Sequence, residues 1–353
     1  MLRTLRQRTT LTDIVIWAIG LAIAIVVIVG TISTLRSGKY SAVTWFELSI
    51  SGLALGGVYA LIALGYTLVY GILRMINFAH SEVFMVGPFT AVFLAEALNR
   101  AGLLASSPVF SLLLITLLSA AVSCVIAILL ERIAYRPLRN APRLVPLITA
   151  IGASFFLQYT FRGLYGSGIR AYPAIPILQG SWSLGTIRIF RTDVVIIVSA
   201  LVMMLVLYAI VQKTKMGKAM RAVSEDHEVA TLMGIDVDRV IVVTFALGGA
   251  AAGVGGILYA LAFPIVNFYM GFIPSIKAFT AAVLGGIGSV PGAFVGAMVL
   301  GVVESLGPNL FLDGLGIPSP NMLKDMLAFV ILVFILIFRP TGILGEALTQ
   351  PKA

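Results

Sequence analysis

Eight long apolar runs, each bounded by charged or polar residues, occupy positions 14–32, 48–73, 83–98, 109–130, 145–161, 194–211, 240–263 and 326–338. Most approach the roughly 20 residues that a helix needs to cross the hydrocarbon core of a bilayer. Barrel strands would show about ten residues of alternating polarity, and these runs do not alternate, so they predict helices. A ninth stretch, 278–306, reads AFTAAVLGGIGSVPGAFVGAMVLGVVESL and carries helix breakers at its centre. It predicts two short helices of about half a bilayer each, 278–284 and 291–304. They form a re-entrant pair that leaves and returns on one side and meets at Gly285, Gly286, Gly288, Pro291 and Gly292. The pattern therefore describes an all-α polytopic membrane protein with about eight transmembrane helices and one broken pair.

Composition agrees. Of 353 residues, 59% are apolar and 11% charged, against about a quarter charged in ordinary soluble domains, and mean hydropathy is +1.05. A soluble globule of this size needs a charged exterior, so the apolar surface must face lipid. Disorder and nucleic-acid binding are excluded with it, since both need a polar or strongly biased chain. Cys124 is the single cysteine, which rules out an intrachain disulfide and a cysteine-rich zinc site; no metal site is expected.

The net charge of +9 becomes a topology signal once the runs are threaded. With the N-terminus inside, 15 of the 24 basic residues fall on the cytoplasmic side, among them the clusters Arg132 to Arg143 and Lys213 to Arg221. Lys277 is among the nine placed outside. Both termini are then cytoplasmic. The first run follows Arg3, Arg6 and Arg8 but is too long for a signal peptide and lacks a small-residue cleavage pattern, so it is expected to stay as an anchor.

Enzymatic constellations are missing. Neither Gly-Lys pair, Gly38-Lys39 or Gly217-Lys218, has a glycine five residues earlier, so no P-loop cradles ATP. There are two histidines, His80 and His227, and no HExxH. Two polar segments remain as candidates. In the loop 213–240, Ser224 is placed to cap a short helix, Glu225, Asp226 and Glu228 favour its dipole, and Gly234 is placed to end it. Val229 and Ala230, with Leu232 and Met233, give that helix a small apolar surface, and His227 lies within it. So short a helix needs support, either its own bundle or a partner. The stretch 70–85 sets Arg74, Asn77, His80, Ser81 and Glu82 between two apolar runs. Asn77 or Ser81 can cap a helix beginning at Glu82; alternatively Asn77, His80 and Glu82 belong to a broken helix beside a transport path.

Three ordered motifs carry a resemblance. GLALGGVYALIALGYTLVYGILRMINFAHSEVFMVG at 52–87, GKAMRAVSEDHEVATLMGIDVDRVIVVTFALGGAAAGVGGILYA at 217–260, and AAVLGGIGSVPGAFVGAMVLGVVES at 281–305 resemble the H-type inner-membrane permease subunits of branched-chain amino-acid ABC transporters. The closing RPTGILG at 339–345 is also typical, while the first helix sits on an unusually long extension and Ser81 stands where glycine is common. The resemblance implies an N-terminal extension with the first helix (1–43), an importer permease domain (44–345) and a cytoplasmic tail (346–353). It implies that the chain is a transporter subunit of the bacterial inner membrane and not an enzyme, with no cofactor of its own. ATP and magnesium belong to two cytoplasmic ATPase subunits. The other partners are a second permease chain, either the M-type or another copy, and a soluble substrate-binding protein outside the cell.

On this resemblance the segment from Ser224 to Gly234 is the coupling helix that sits in an ATPase cleft. The substrate expected is a branched-chain or other neutral amino acid, with urea or a short-chain amide as the alternative within the same fold. An ion-coupled secondary transporter is the rival of another class and calls for mid-helix carboxylates, whereas Glu47, Glu96, Glu131 and Glu304 fall near run ends. No buried charge pair is evident, so the path is expected to be lined by small and apolar residues.

Overall fold

The computed structural model describes residues 11–139, 141–142, 144–318, 320–339 and 341–344. The expected tail, 346–353, and Arg3, Arg6, Arg8 and Arg143 lie outside them. Thirteen α-helices are described: α1 Leu11–Ser37, α2 Ala42–Leu73, α3 His80–Arg100, α4 Leu103–Ser106, α5 Pro108–Leu130, α6 Leu144–Tyr165, α7 Arg191–Lys213, α8 Lys215–Glu225, α9 His227–Leu232, α10 Val237–Ala262, α11 Phe272–Gly285, α12 Val290–Gly307 and α13 Lys324–Phe338. Among the described residues nine helical stretches are long and apolar enough to cross a membrane, and α11 is a shorter apolar helix. The protein is a multi-pass membrane protein.

Each of the eight predicted runs is a helix. The ninth long one is α12, whose helical course continues through a π turn, Pro308–Leu312, to Leu315. The half-bilayer expectation for the glycine-rich pair is thereby corrected. α11 starts at Phe272, six residues before the predicted start, and the α11–α12 junction reaches the end of α2, where a Cβ on Gly71 would stand 3.9 Å from Gly288 Cα. The breakers act only at the turn, because α12 is started there by Ser289, whose Oγ accepts from Gly292 N at 3.2 Å, with Pro291 in its first turn. The pair still departs from and returns to one side.

Burial sorts the helices into two layers. Most of α2, α3 and α10 is buried, α12 about half, while α1, α5, α6, α7 and α13 present apolar side chains outward. Small residues make this possible, since without a hydrophobic drive between helices in lipid, close backbone contact and hydrogen bonds must hold them. A Cβ on Gly56 would stand 2.7 Å from Ala297 O and 2.8 Å from Met298 Cα, so α2 and α12 touch backbone to backbone. Ser119 Oγ donates to Gly253 O and Ser123 Oγ to Val83 O, both at 2.7 Å, tying α5 to α10 and α3.

The bundle has two polar ends. At one, α8, α9, the C-terminus of α2, the α11–α12 turn and residues 341–344 meet: Arg74 Nη2 donates to Ser224 O at 3.1 Å and Leu344 N to Gly285 O at 2.9 Å. The start of α1 and the end of α13 share this end, with Gly20 against Phe338. At the opposite end, β2 (Ser181–Leu184) and β3 (Ile187–Phe190) form a hairpin, and β1 (Arg170–Ala171) pairs antiparallel with β4 (Ile265–Val266). Lys39 pairs with Asp313 there at 2.8 Å, and the hydrogen bond to that carboxylate raises the Lys39 pKa.

Candidate functional site

Three places concentrate polar chemistry. The first is the α8–α9 elbow. Thr214 caps α8, its Oγ1 accepting from Gly217 N at 3.0 Å, and α8 then runs through Ser224 and Glu225. The expected Ser224 cap is therefore corrected: Ser224 Oγ donates to Arg221 O within α8, and Asp226 is the residue that caps α9. Asp226 holds extended backbone, φ −152° and ψ 119°, from which its Oδ1 accepts from Glu228 N and Val229 N at 2.8 and 2.9 Å. Both residue types suit the role, and the bonding of the preceding turn decides between them. Gly234 ends the helix at φ +80°, a conformation costly for any residue with a side chain.

The elbow is anchored from behind. Ala230 is buried, and His227 Nε2 donates to Ile72 O at 3.0 Å. Leu232 and Met233 are 85% and 77% exposed, so the apolar tip of α9 faces away from the bundle, together with Val229. Beside the elbow, Arg139 pairs with buried Glu131 and with Asp238, and Arg136 also pairs with Asp238, clamping the end of α5 to the start of α10.

The second place is the break between α2 and α3. Arg74 ends α2 in the left-handed region, φ 50°, the single non-glycine with positive φ among the described residues. The chain then turns back into the bundle, and α3 begins at His80, two residues before the expected Glu82, with no side-chain cap. The proposed caps are corrected as well. Asn77 Oδ1 instead accepts from Tyr135 Oη at 2.7 Å, and Ser81 Oγ lies 2.8 Å from Phe78 O. His80 is buried edge-on against Tyr66, ring centroids 4.9 Å apart, in the space that the missing side chain of Gly65 leaves. Glu82 is buried; Ser154 Oγ donates to its Oε1 at 3.1 Å, and its Oε2 has no hydrogen-bond partner among the described residues.

The third place is the one that sequence reasoning missed. Lys277, in α11, is buried and bridges Glu304 Oε1 on α12 at 2.5 Å and Asp325 Oδ1 on α13 at 2.6 Å. Tyr59 Oη on α2 donates to Glu304 Oε2 at 3.1 Å. The expectation of no buried charge pair is overturned, and Lys277 is not a loop cation. Positions 277, 304 and 325 lie too far apart for any periodicity to pair them; the signal available was a lone lysine beside an apolar run, an expensive placement unless it is partnered.

Glu304 also forms the floor of a pocket of about 470 Å³ open toward the hairpin end. Its polar groups are Ser51, Thr192, Asp193, Glu304, Ser305, Asn321 and Lys324, and among its apolar walls are the side chains of Leu48, Leu55, Ile196 and Leu261 with Phe190 and Phe263. No group of three or more His, Cys, Asp or Glu with metal-holding geometry occurs among the described residues.

The candidate residues thus fall into separate clusters. Ser224, Glu225, Asp226, His227, Glu228, Val229, Ala230 and Gly234 share the elbow. Gly285, Gly286, Gly288, Pro291 and Gly292 lie at the α11–α12 turn on the same end of the bundle, while Asn77 lies in the α2–α3 break and His80 and Glu82 in the first turn of α3.

The family model described as "Branched-chain amino acid transport system / permease component" matches residues 48–336. The high-affinity branched-chain amino acid transport system permease protein BraD of Pseudomonas aeruginosa is 41% identical over 305 residues, 86% of this chain and 96% of its own length. LivH of Escherichia coli K12, of the same description, is 40% identical over 313 residues, with the same coverage of both chains. More distantly, the probable branched-chain amino acid transport permease protein LivM of Methanocaldococcus jannaschii is 29% identical over 139 residues, 38% of this chain and 40% of its own length.

Proposed function

Because the chain belongs to the permease component family of branched-chain amino acid transport systems, we propose that it forms one membrane-spanning half of an ATP-driven importer of leucine, isoleucine and valine. A second permease chain, an M-type relative or another copy, completes the membrane core, two ATPase subunits bind its cytoplasmic end, and a soluble binding protein delivers substrate at the other. ATP and magnesium act on the ATPase subunits, and this chain holds neither.

The observation that carries the reading is the elbow. A capped helix anchored to the end of α2 presents Leu232 and Met233 outward, an apolar knob with no covering element among the described residues. The end of the bundle that carries it is the cytoplasmic one, and the start of α1 and residues 341–344 share it. ATP binding closes the ATPase pair, the knob moves as a rigid body in its cleft, and α2 and α8 pass the movement to the break at 74–79 and to the α11–α12 turn. The bundle then alternates between outward and inward access.

Replacing Leu232 and Met233 together with Asp tests this in the reconstituted complex. Charged side chains on the knob are expected to abolish co-purification of the ATPase subunits and leucine uptake, with the permease still extracted folded. Undiminished ATPase binding and transport would overturn the docking assignment, and uptake of urea in place of leucine by the unmodified complex would overturn the substrate.

A further inference from the structure

We infer that the pocket above Glu304 is a transient binding site for a zwitterionic amino acid with an aliphatic side chain, entered from the hairpin end. The inference rests on the importer reading and adds to it a site within this chain, where transport alone requires only a path.

Charge is the first argument. Lys277 is shared between Glu304 and Asp325, and the pocket adds Asp193 on α7 and Lys324 on α13. Counted as ionised, these groups hold three carboxylates against two ammoniums, in a region walled by apolar side chains. One positive charge is missing, and uncompensated charge beside the hydrocarbon layer is expensive. The α-ammonium of an amino acid supplies it.

Placement is the second. Ser51 Oγ donates to Asp193 Oδ2 at 3.0 Å, which orients the carboxylate and leaves Oδ1 without a partner among the described residues. Lys324 makes no ion pair among the described residues and stands at the same mouth. A carboxylate acceptor for an ammonium and an ammonium donor for a carboxylate therefore border one cavity. A cation or an anion alone satisfies one of them, and a zwitterion satisfies both.

Shape is the third. The volume of about 470 Å³ lies within the range of small-molecule sites. Leu48, Leu55, Ile196 and Leu261 offer the zwitterion's side chain an aliphatic wall without a hydrogen-bonding group. A branched aliphatic side chain gains by burial there, while a polar one loses hydration beside Thr192 and Ser305, whose hydroxyls already donate to Leu178 O and Leu48 O. Glu304, fixed by Lys277 and Tyr59, makes the floor rigid.

The test uses the complete transporter with its binding protein in proteoliposomes, and photo-leucine, a diazirine analogue of leucine, as the probe. After irradiation, label is expected on residues 48–55 of α2 and 190–196 of α7. Leucine should compete it, whereas equal concentrations of isoamylamine, which lacks the carboxylate, and of 4-methylpentanoate, which lacks the ammonium, should not. Asp193→Asn and Lys324→Gln are each expected to lower competable label about tenfold or more, the loss of one charge-assisted hydrogen bond. Lys324 lies at the rim, so K324Q keeps the test decisive even if D193N fails to assemble. Label elsewhere, equal competition by either single-charge analogue, or wild-type labelling of both variants would overturn the site. Leucine uptake by the unmodified complex is measured alongside: its absence overturns the importer reading, and its presence without competable label overturns the pocket alone.

Discussion

Lys277 is a single residue on which three helices depend. Its ammonium is enclosed by Glu304, Asp325 and Tyr59 Oη, and a buried ion whose partner is deleted costs about 3–5 kcal/mol, because the remaining charges are left desolvated and uncompensated. Lys277→Met is therefore expected to lower the thermal midpoint of the detergent-purified permease sharply. Adding Glu304→Gln and Asp325→Asn to the same chain is expected to recover most of the loss, since the penalty comes from unpaired charge. Unfolding followed by intrinsic fluorescence checks both, and a K277M midpoint equal to wild type would mean that the cluster is hydrated and energetically idle. Glu82 poses the opposite case. It is a buried carboxylate held, among the described residues, by the hydroxyls of Ser81 and Ser154, and the second of these comes from α6, which no local pattern links to it.

At the scale of elements, α9 is the clearest example of local chemistry overriding length. A helix of six residues is unstable by itself, yet Asp226 closes its first turn, Gly234 its last, and His227 pins it to α2. Removing the cap with Asp226→Ala is expected to cost about 1 kcal/mol locally. Hydrogen exchange over residues 227–233 should accelerate severalfold while the midpoint of the whole bundle stays unchanged. Gly234→Val, which forces a β-branched side chain to a left-handed backbone, should act in the same direction. If either variant lowers leucine-stimulated ATP hydrolysis without lowering basal hydrolysis, stiffness of the elbow matters to coupling; unchanged exchange in D226A would show that the cap is dispensable. The start and stop residues of this element were legible from sequence as a set. Which of Ser224 and Asp226 served as cap was not, because α8 continues through Ser224 once Thr214 has started it.

For the whole molecule, the two ends of the bundle make a labelling prediction. Cys124 is the sole cysteine, so Cys124→Ser provides a blank background. Single cysteines at Met233 and Leu344, both exposed at the elbow end, are expected to react with an impermeant maleimide from the cytoplasmic side only. One at Trp182, exposed on the hairpin, is expected to react only from outside. Reaction of Met233 and Leu344 from opposite sides would contradict the arrangement in which α11 and α12 descend from one face and return to it. The outward-facing apolar side chains of α5, α6 and α7 belong to this scale as well, since they meet lipid or, on the proposed function, a second permease chain.

By itself the sequence determined the class and the eight runs, because lipid allows few ways to satisfy a backbone and rewards long apolar helices bounded by charge. It also marked the break after α2, the glycine-rich turn and the elbow, since each is written in consecutive residues. The depth of the α11–α12 pair, the burial of Lys277 and the mixed-charge pocket were decided by tertiary structure alone. Each arises where helices distant in sequence approach: Gly56 admits the backbone of α12, and that contact brings Tyr59 to Glu304. A periodicity reports which face of one helix is apolar; it carries no record of which charge on another helix will meet it.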